Sequence, residues 1–182
     1  MFPIFSGRGE RGIGMGYESF SKGFLDVCKQ HIEQGIAKGF AFLFYEQGGT
    51  TDAALDREKG FDKLNEASGT DVTLFYLTDP DVTGTLFKRF NKTFMEALGI
   101  EKQTKPPCVV FFRVGGPASN PTIEDICFFK LDERMKDYMV VEQIRRHVRH
   151  AVNMWDSQGD LSALNPMPLL PFLGTMSKLA GG

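Results

Sequence analysis

Runs of apolar residues alternate with stretches of helical spacing along most of this chain. Continuous apolar or β-branched runs predict strands, and apolar residues that recur every three or four positions predict helices with one buried face. On this basis we predict helices at residues 18–37, 56–67, 83–98 and 136–155, and strands at 39–45, 71–78, 108–114 and 125–131. From residue 39 onward the order is β-α-β-α-β-β-α, so we expect an α/β fold.

The last two predicted strands form the unit around which the fold is organised. Pro106 and Pro107 precede the apolar run at residues 108–114, and a loop rich in Gly, Pro and Asn leads to the run at 125–131. Two short apolar runs separated by turn residues are typical of a β-hairpin. We therefore predict a hairpin with the double proline as its rigid entry.

The composition indicates an ordinary globular protein. The chain has 182 residues, of which 42% are hydrophobic and 24% charged, which argues against a fibrous or wholly disordered chain. A net charge of −2 gives no reason to expect binding to nucleic acid or membranes that is driven by overall charge.

The opening residues lack the basic start of a signal peptide, and no apolar run reaches the roughly 20 residues of a membrane span. We therefore expect a cytoplasmic protein that does not contact a membrane.

The three cysteines do not form a recognisable metal or redox motif. Cys28, Cys108 and Cys127 are far apart in sequence, and no histidine accompanies them at zinc-ligand spacing. A cysteine inside a strand usually behaves as a small hydrophobic residue. We therefore expect reduced thiols, no metal site and no cofactor.

The order of elements over residues 39–155 resembles the thioredoxin-like superfamily, with one extra helix in front. In that family a cis proline precedes the third core strand, and Pro107 stands at the matching position. The resemblance implies a thioredoxin-like β-α-β-α-β-β-α three-layer sandwich within a domain at residues 18–155. A Gly-rich arm at 1–17 and a Pro/Leu-rich tail at 156–182 would be irregular termini. A different α/β sandwich also fits the same order.

The redox motif of that family is missing from this chain. The family carries two cysteines at CxxC spacing between the first core strand and the next helix, where the helix N-terminus lowers the thiol pKa. Residues 46–54 here read Glu-Gln-Gly-Gly-Thr-Thr-Asp-Ala-Ala. Thr50, Thr51 and Pro107 are the ligand-binding candidates at this place, although a threonine in front of a helix is more typical of a cap.

Cys108 is the catalytic candidate because it directly follows Pro107. An isolated thiol at the mouth of such a site could be oxidised or glutathionylated. The reading that we favour is that the Cys108 side chain enters the core, since no activating histidine or lysine is evident from the sequence, and we predict no catalytic residue. The exposure of this thiol distinguishes the two readings.

A basic cluster lies on the closing helix. Arg145, Arg146, Arg149 and His150 fall on the side opposite the apolar stripe, so we expect an exposed basic patch that contacts an acidic partner or nucleic-acid phosphates. The alternative is a solvated helix face whose cations complement the negative end of the helix.

The N-terminal glycines give a formal match to a nucleotide motif. Gly7, Gly9 and Gly12 fit GxGxxG, but the strand, tight turn and helix on which a dinucleotide site depends are not predicted around them. We expect a flexible or partner-ordered arm here.

The C-terminal tail is apolar yet rich in proline. Residues 161–173 contain three prolines, which disfavour a long helix or a central strand. Such a segment must cover apolar surface, either on its own domain or on a partner. Leu169, Leu170 and Phe172 are the partner-binding candidates.

Three functions are consistent with these patterns. The first is a redox-inactive protein-interaction or assembly module that binds a protein partner or itself. The second is a transferase-like or peroxidase-like enzyme that binds a small thiol and uses Cys108 beside Pro107. The third is nucleic-acid binding through the Arg/His-rich helix. Thiol labelling separates the first two hypotheses, and binding at low salt tests the third.

Overall fold

The computed structural model describes residues 2–5, 17–35, 37–78, 85–157 and 167–180. The GxGxxG match therefore lies outside the described residues. The elements are β1 (Phe2–Phe5), α1 (Tyr17–Gln34), β2 (Gly39–Phe44), α2 (Thr50–Arg57), α3 (Gly60–Ser68), β3 (Val72–Thr78), α4 (Thr85–Ala97), β4 (Cys108–Gly115), β5 (Thr122–Lys130), α5 (Asp137–Asp156), β6 (Met167–Pro168) and α6 (Leu169–Ala180).

The described strands form one mixed sheet in the order β1-β3-β2-β4-β5-β6. β3 runs parallel to both β1 and β2, whereas β4 pairs antiparallel with both β2 and β5. β2 is buried along its whole length, as expected of a central strand covered on both faces. The predicted mixed α/β class and the predicted hairpin, formed by β4 and β5, are confirmed.

Helices cover both faces of this sheet. Neighbouring residues of a strand point to opposite faces, and in β4 the Phe112 ring lies 6.1 Å from Phe24 of α1, while Phe111 lies 6.4 Å from Trp155 of α5. α6 contacts both α1 and α4, and α5 contacts both α2 and α3. The α1 face is filled mainly by buried phenylalanines: Phe20, Phe24, Phe40, Phe42, Phe44, Phe75, Phe90, Phe94, Phe112 and Phe172.

The single helix predicted at residues 56–67 is in fact two helices. α2 starts earlier, at Thr50, and ends at Arg57, while α3 starts at Gly60. Lys59 between them has a φ of 49°, a left-handed conformation that interrupts a right-handed helix. A Cβ on Gly60 would lie 2.7 Å from the Cα of Leu55, so glycine allows the two helices to approach at this turn.

Residues 2–5 and 167–180 form regular elements, so the prediction of irregular termini is wrong for these described residues. β1 adds a strand to the edge of the sheet beside β3. α6 contains Pro171 in its first turn, where the missing N–H of a proline breaks no intrahelical hydrogen bond. The buried residues of α6 recur at helical spacing: Leu169, Phe172, Leu173 and Met176.

None of the described helices is both long enough and apolar enough to span a membrane.

Candidate functional site

Carboxylates hold the N-terminus of α2, where the redox family has its thiols. Glu133 Oε1 accepts hydrogen bonds from the Thr51 N–H at 3.2 Å and from the Thr51 hydroxyl at 3.0 Å. Asp52 accepts a hydrogen bond from the Gly48 N–H at 2.8 Å. Burial raises the pKa of Asp52, the Gly48 hydrogen bond opposes this shift, and the Asp56 charge adds to it. The positive end of the helix thus already has negative groups from the protein itself.

This arrangement decides the role of one predicted ligand residue. Thr51, the second residue of α2, is fully buried, and both of its donors bond to the Glu133 carboxylate, which caps the helix. Thr51 therefore has no donor left for a ligand, and the prediction that it binds one is wrong. Thr50, the first residue of α2, is half-buried and keeps its place as a candidate.

All three cysteines are free and buried. Burial raises the pKa of Cys108 to about 12, although the Thr104 hydroxyl and the Lys130 charge both oppose the shift. Burial likewise raises the pKa of Cys127 to about 12 and that of Cys28 above its usual range. Cys108 is a core residue, as we expected of a cysteine inside a strand, and the weaker hypothesis that it is an exposed catalytic nucleophile is wrong.

The Pro106–Pro107 peptide bond is cis and stands immediately before β4. The Pro107 carbonyl accepts a hydrogen bond of 3.0 Å from the Leu131 N–H, which ties the proline segment to the end of β5. Two residues later, Glu133 makes the contact with Thr51 described above. Residues 131–133 therefore connect the start of α2 with the cis proline.

Two adjoining cavities open beside this proline segment. The cavity that we call the lysine pocket has a volume of about 340 Å³ and is lined by Lys102, Gln103, Thr104, Lys105, Pro106, Pro107, Lys130 and Leu131. The cavity that we call the α4 cavity has about 280 Å³ and is lined by Glu46, Lys88, Asn91, Lys92, Met95, Glu101, Thr104, Lys105 and Pro106. Thr104, Lys105 and Pro106 form the wall between them. Pro107, a predicted ligand-binding residue, thus lines one of these cavities.

The two cavities differ in charge. The α4 cavity combines lysines with two carboxylates, whereas the lining of the lysine pocket contains lysines and no carboxylate. Among the described residues, Lys102, Lys105 and Lys130 form no ion pair. We did not foresee this cluster from the sequence. Two features of the sequence point to it: Lys102 and Lys105 stand shortly before the double proline, and the predicted hairpin returns the chain to the same place. The register of the hairpin pairs Lys130 with Cys108.

The basic patch on α5 is smaller than the sequence predicted. Arg146, Arg149 and His150 are exposed, but the Arg145 side chain is 22% exposed and forms an ion pair with Glu142. The neighbouring His147 stacks on Phe129 with ring centroids 4.4 Å apart. Burial, and then the charge of Arg146, lowers the pKa of His147, so this ring adds no charge at neutral pH. The patch therefore lacks Arg145 as a free cation.

Of the three partner-binding candidates in the C-terminal tail, two are buried and one is exposed. Leu169 and Phe172 are fully buried in the core of their own chain, and the Phe172 ring lies 5.2 Å from that of Phe94. These two residues therefore cover apolar surface on their own domain, and the prediction that they bind a partner is wrong. Leu170, with 47% of its surface exposed, remains available to a partner.

The described part of the chain contains no group of three His, Cys, Asp or Glu side chains placed to hold a metal ion. No protein-family model, curated protein or solved structure matches this chain significantly.

Proposed function

We propose that this chain is a redox-inactive thioredoxin-like protein that acts as a protein-interaction or assembly module. Support for the family comes from the parallel pair β2 and β3, the antiparallel hairpin β4 and β5, and the closing helix α5. The cis proline just before β4 adds to this support. In the family, this proline borders the surface that holds a substrate backbone.

The proposal that this protein is redox-inactive rests on the state of its thiols. The segment between β2 and α2 contains no cysteine, and the three thiols of the chain are buried. A Cys108 pKa of about 12 leaves a negligible thiolate fraction at neutral pH, and the thiolate is the form that attacks disulfides. A domain of this shape without a nucleophilic thiol acts by binding.

Thiol labelling of the folded protein tests this part. With a disulfide reagent at pH 7.5, we expect the cysteines to react at least about a hundredfold more slowly than in the denatured chain, because each must first be exposed by opening. Rapid labelling of Cys108 in the folded protein would instead support the small-thiol enzyme. A C108A variant identifies the residue that reacts.

Site-specific photocrosslinking in cells tests the binding part. A crosslinking amino acid at Gln103, an exposed residue beside the cis proline, should give a discrete protein adduct. The same group at Glu33, exposed near the end of α1, is the matched control. The adducted protein is then purified, and its affinity should be unchanged by substitution of all three cysteines. Equal adducts at both positions, or a partner that binds only the protein with intact cysteines, would contradict the proposal.

The nucleic-acid hypothesis has less support, because the exposed basic footprint on α5 lacks Arg145 as a free cation. Phosphate contacts are strongest at low salt. We expect no binding to single-stranded RNA or DNA even at low salt. Binding that is lost in an R146Q/R149Q variant would establish this alternative.

A further inference from the structure

The lysine pocket carries a positive charge that the protein itself does not neutralise. Three of its eight lining residues are lysines, and none of the eight is acidic. Positive charges that line one cavity repel one another, so an anion bound among them would be favourable. Glu101, which lines the neighbouring α4 cavity, lies on the other side of the wall.

Thr104 gives this pocket a buried polar group as well as charge. The residue is only 3% exposed, and its hydroxyl has no hydrogen-bond partner in the described structure, although it lies beside the Cys108 thiol. A thiol is a weak acceptor, and a buried hydroxyl without a good partner is destabilising. A ligand oxygen in the pocket would supply a better acceptor if the Thr104 side chain rotated from the thiol towards the pocket.

The pocket is built before any ligand arrives. The Gln103 and Thr104 N–H groups both bond to the Ile100 carbonyl, at 2.9 and 3.0 Å, and the Leu131 N–H bonds to the Pro107 carbonyl. These bonds fix the backbone of two walls of the pocket. A ligand therefore does not have to order the loop when it binds, which lowers the entropic cost of binding.

We propose that the lysine pocket binds a phosphate group. Lysine is a common phosphate ligand because its ammonium is a compact point charge, and the Thr104 hydroxyl adds a donor. The volume of about 340 Å³ suits a phosphate with a small organic group attached. The phosphate belongs either to a small metabolite or to a phosphorylated side chain of a protein. This site goes beyond the proposed function and does not depend on it.

Titration with inorganic phosphate at constant ionic strength tests the proposal. We expect a saturable rise in the melting temperature and saturable shifts in the amide signals of residues 102–105. A K102Q/K130Q variant should bind phosphate about tenfold more weakly, the order expected for two solvated charge contacts. The matched control is K22Q/K29Q, which removes two lysines of α1 that line neither cavity and should bind as the wild type does.

The Thr104 hydroxyl is tested separately with a conservative pair. T104V keeps the shape of the side chain but removes the donor, and should weaken binding severalfold, whereas T104S keeps the hydroxyl and should restore it. Both variants are also measured without phosphate, so that a general loss of stability is recognised.

Two further ligands identify the source of the phosphate. A phosphoserine tripeptide that binds at least tenfold more tightly than glycerol 3-phosphate would indicate a phosphorylated protein, and equal or weaker binding would indicate a small metabolite. The proposal is overturned if inorganic phosphate acts no differently from sodium chloride, or if K102Q/K130Q binds it as well as K22Q/K29Q does. Gln103 lines the same pocket, but its crosslinking in cells detects a protein partner whether or not inorganic phosphate binds, so the two proposals can fail separately.

Discussion

The start of α2 and the lysine pocket lie on either side of residues 131–133, yet their polar groups are satisfied in opposite ways. At the start of α2, Glu133 accepts hydrogen bonds from both donors of the buried Thr51. At the lysine pocket, Leu131 holds the Pro107 backbone, while the surrounding lysines have no acidic partner among the described residues. The donors at the start of α2 are satisfied within the chain, whereas the lysines of the pocket are free to bind an anion.

This difference separates structural groups from groups available to a ligand. The helix N-terminus that would activate a thiol or bind an anion is occupied by the protein's own carboxylates, so it has little left to offer. The lysine pocket keeps both its charge and the Thr104 hydroxyl. We therefore expect substitutions in the first region to change stability and substitutions in the second to change binding.

A rise to alkaline pH should cause the largest loss in the free energy of unfolding. It acts through Cys108, which lies beside Thr104 of the lysine pocket. The pKa of Cys108 rises from 9.0 in the unfolded chain to about 12 in the folded protein. Between these values only the unfolded state loses the proton, so the free energy of unfolding falls as pH rises. Each such thiol lowers it by about 1.4 kcal/mol per pH unit.

Urea unfolding between pH 9 and 11 measures this slope. The C108A variant, which has lost some packing at every pH, should show a slope smaller than that of the wild type by about 1.4 kcal/mol per pH unit. Identical slopes would mean that Cys108 ionises in the folded protein, and they would reopen the small-thiol enzyme.

Removal of the Glu133 side chain should have the next largest effect. E133A leaves the N–H and the hydroxyl of the buried Thr51 without an acceptor, and should lower the free energy of unfolding by roughly 1–3 kcal/mol. E133Q keeps an amide oxygen at this position and should cost roughly 1 kcal/mol or less. Urea unfolding at neutral pH checks both values. If E133A were as stable as the wild type, the start of α2 would not depend on this contact.

Neutralising one pocket lysine should have the smallest effect on stability. Lys130 is exposed and unpaired among the described residues, so K130Q should change the free energy of unfolding by less than about 0.5 kcal/mol. A loss of more than about 1 kcal/mol in the same urea experiment would show that Lys130 supports the fold, and would remove the contrast between the two regions.

Much of the central fold could be predicted because strand signals were strong. Runs such as residues 39–44 are apolar on both faces, and this pattern requires burial wherever the strand lies in the sheet. The break between α2 and α3 could not be predicted in the same way, because it depends on the close approach of Gly60 to Leu55. The prolines of residues 161–173 predict against a long helix, and α6 forms because its start at Leu169 places Pro171 in the first turn, where a proline is tolerated.

The candidate site was less predictable than the fold. The sequence singled out Pro107 as a ligand-binding candidate, and this residue lines a cavity, but the sequence did not show that Thr51 would donate hydrogen bonds to a carboxylate 82 positions away. It also treated Arg145 as free, although Glu142 pairs with it one helical turn earlier. Such partners are decided by side-chain geometry, which residue spacing alone does not fix.

The sequence alone determined that this chain forms an α/β domain around a hairpin and that the segment between β2 and α2 has no thiol. Both follow from residue identity, since apolar runs must be buried and a redox pair needs cysteines. The tertiary structure alone decided that Cys108 is buried and that Lys130 joins Lys102 and Lys105 beside the cis proline. Burial and convergence depend on contacts between residues distant in sequence, and here the antiparallel register of β4 and β5 brings Lys130 beside the double proline.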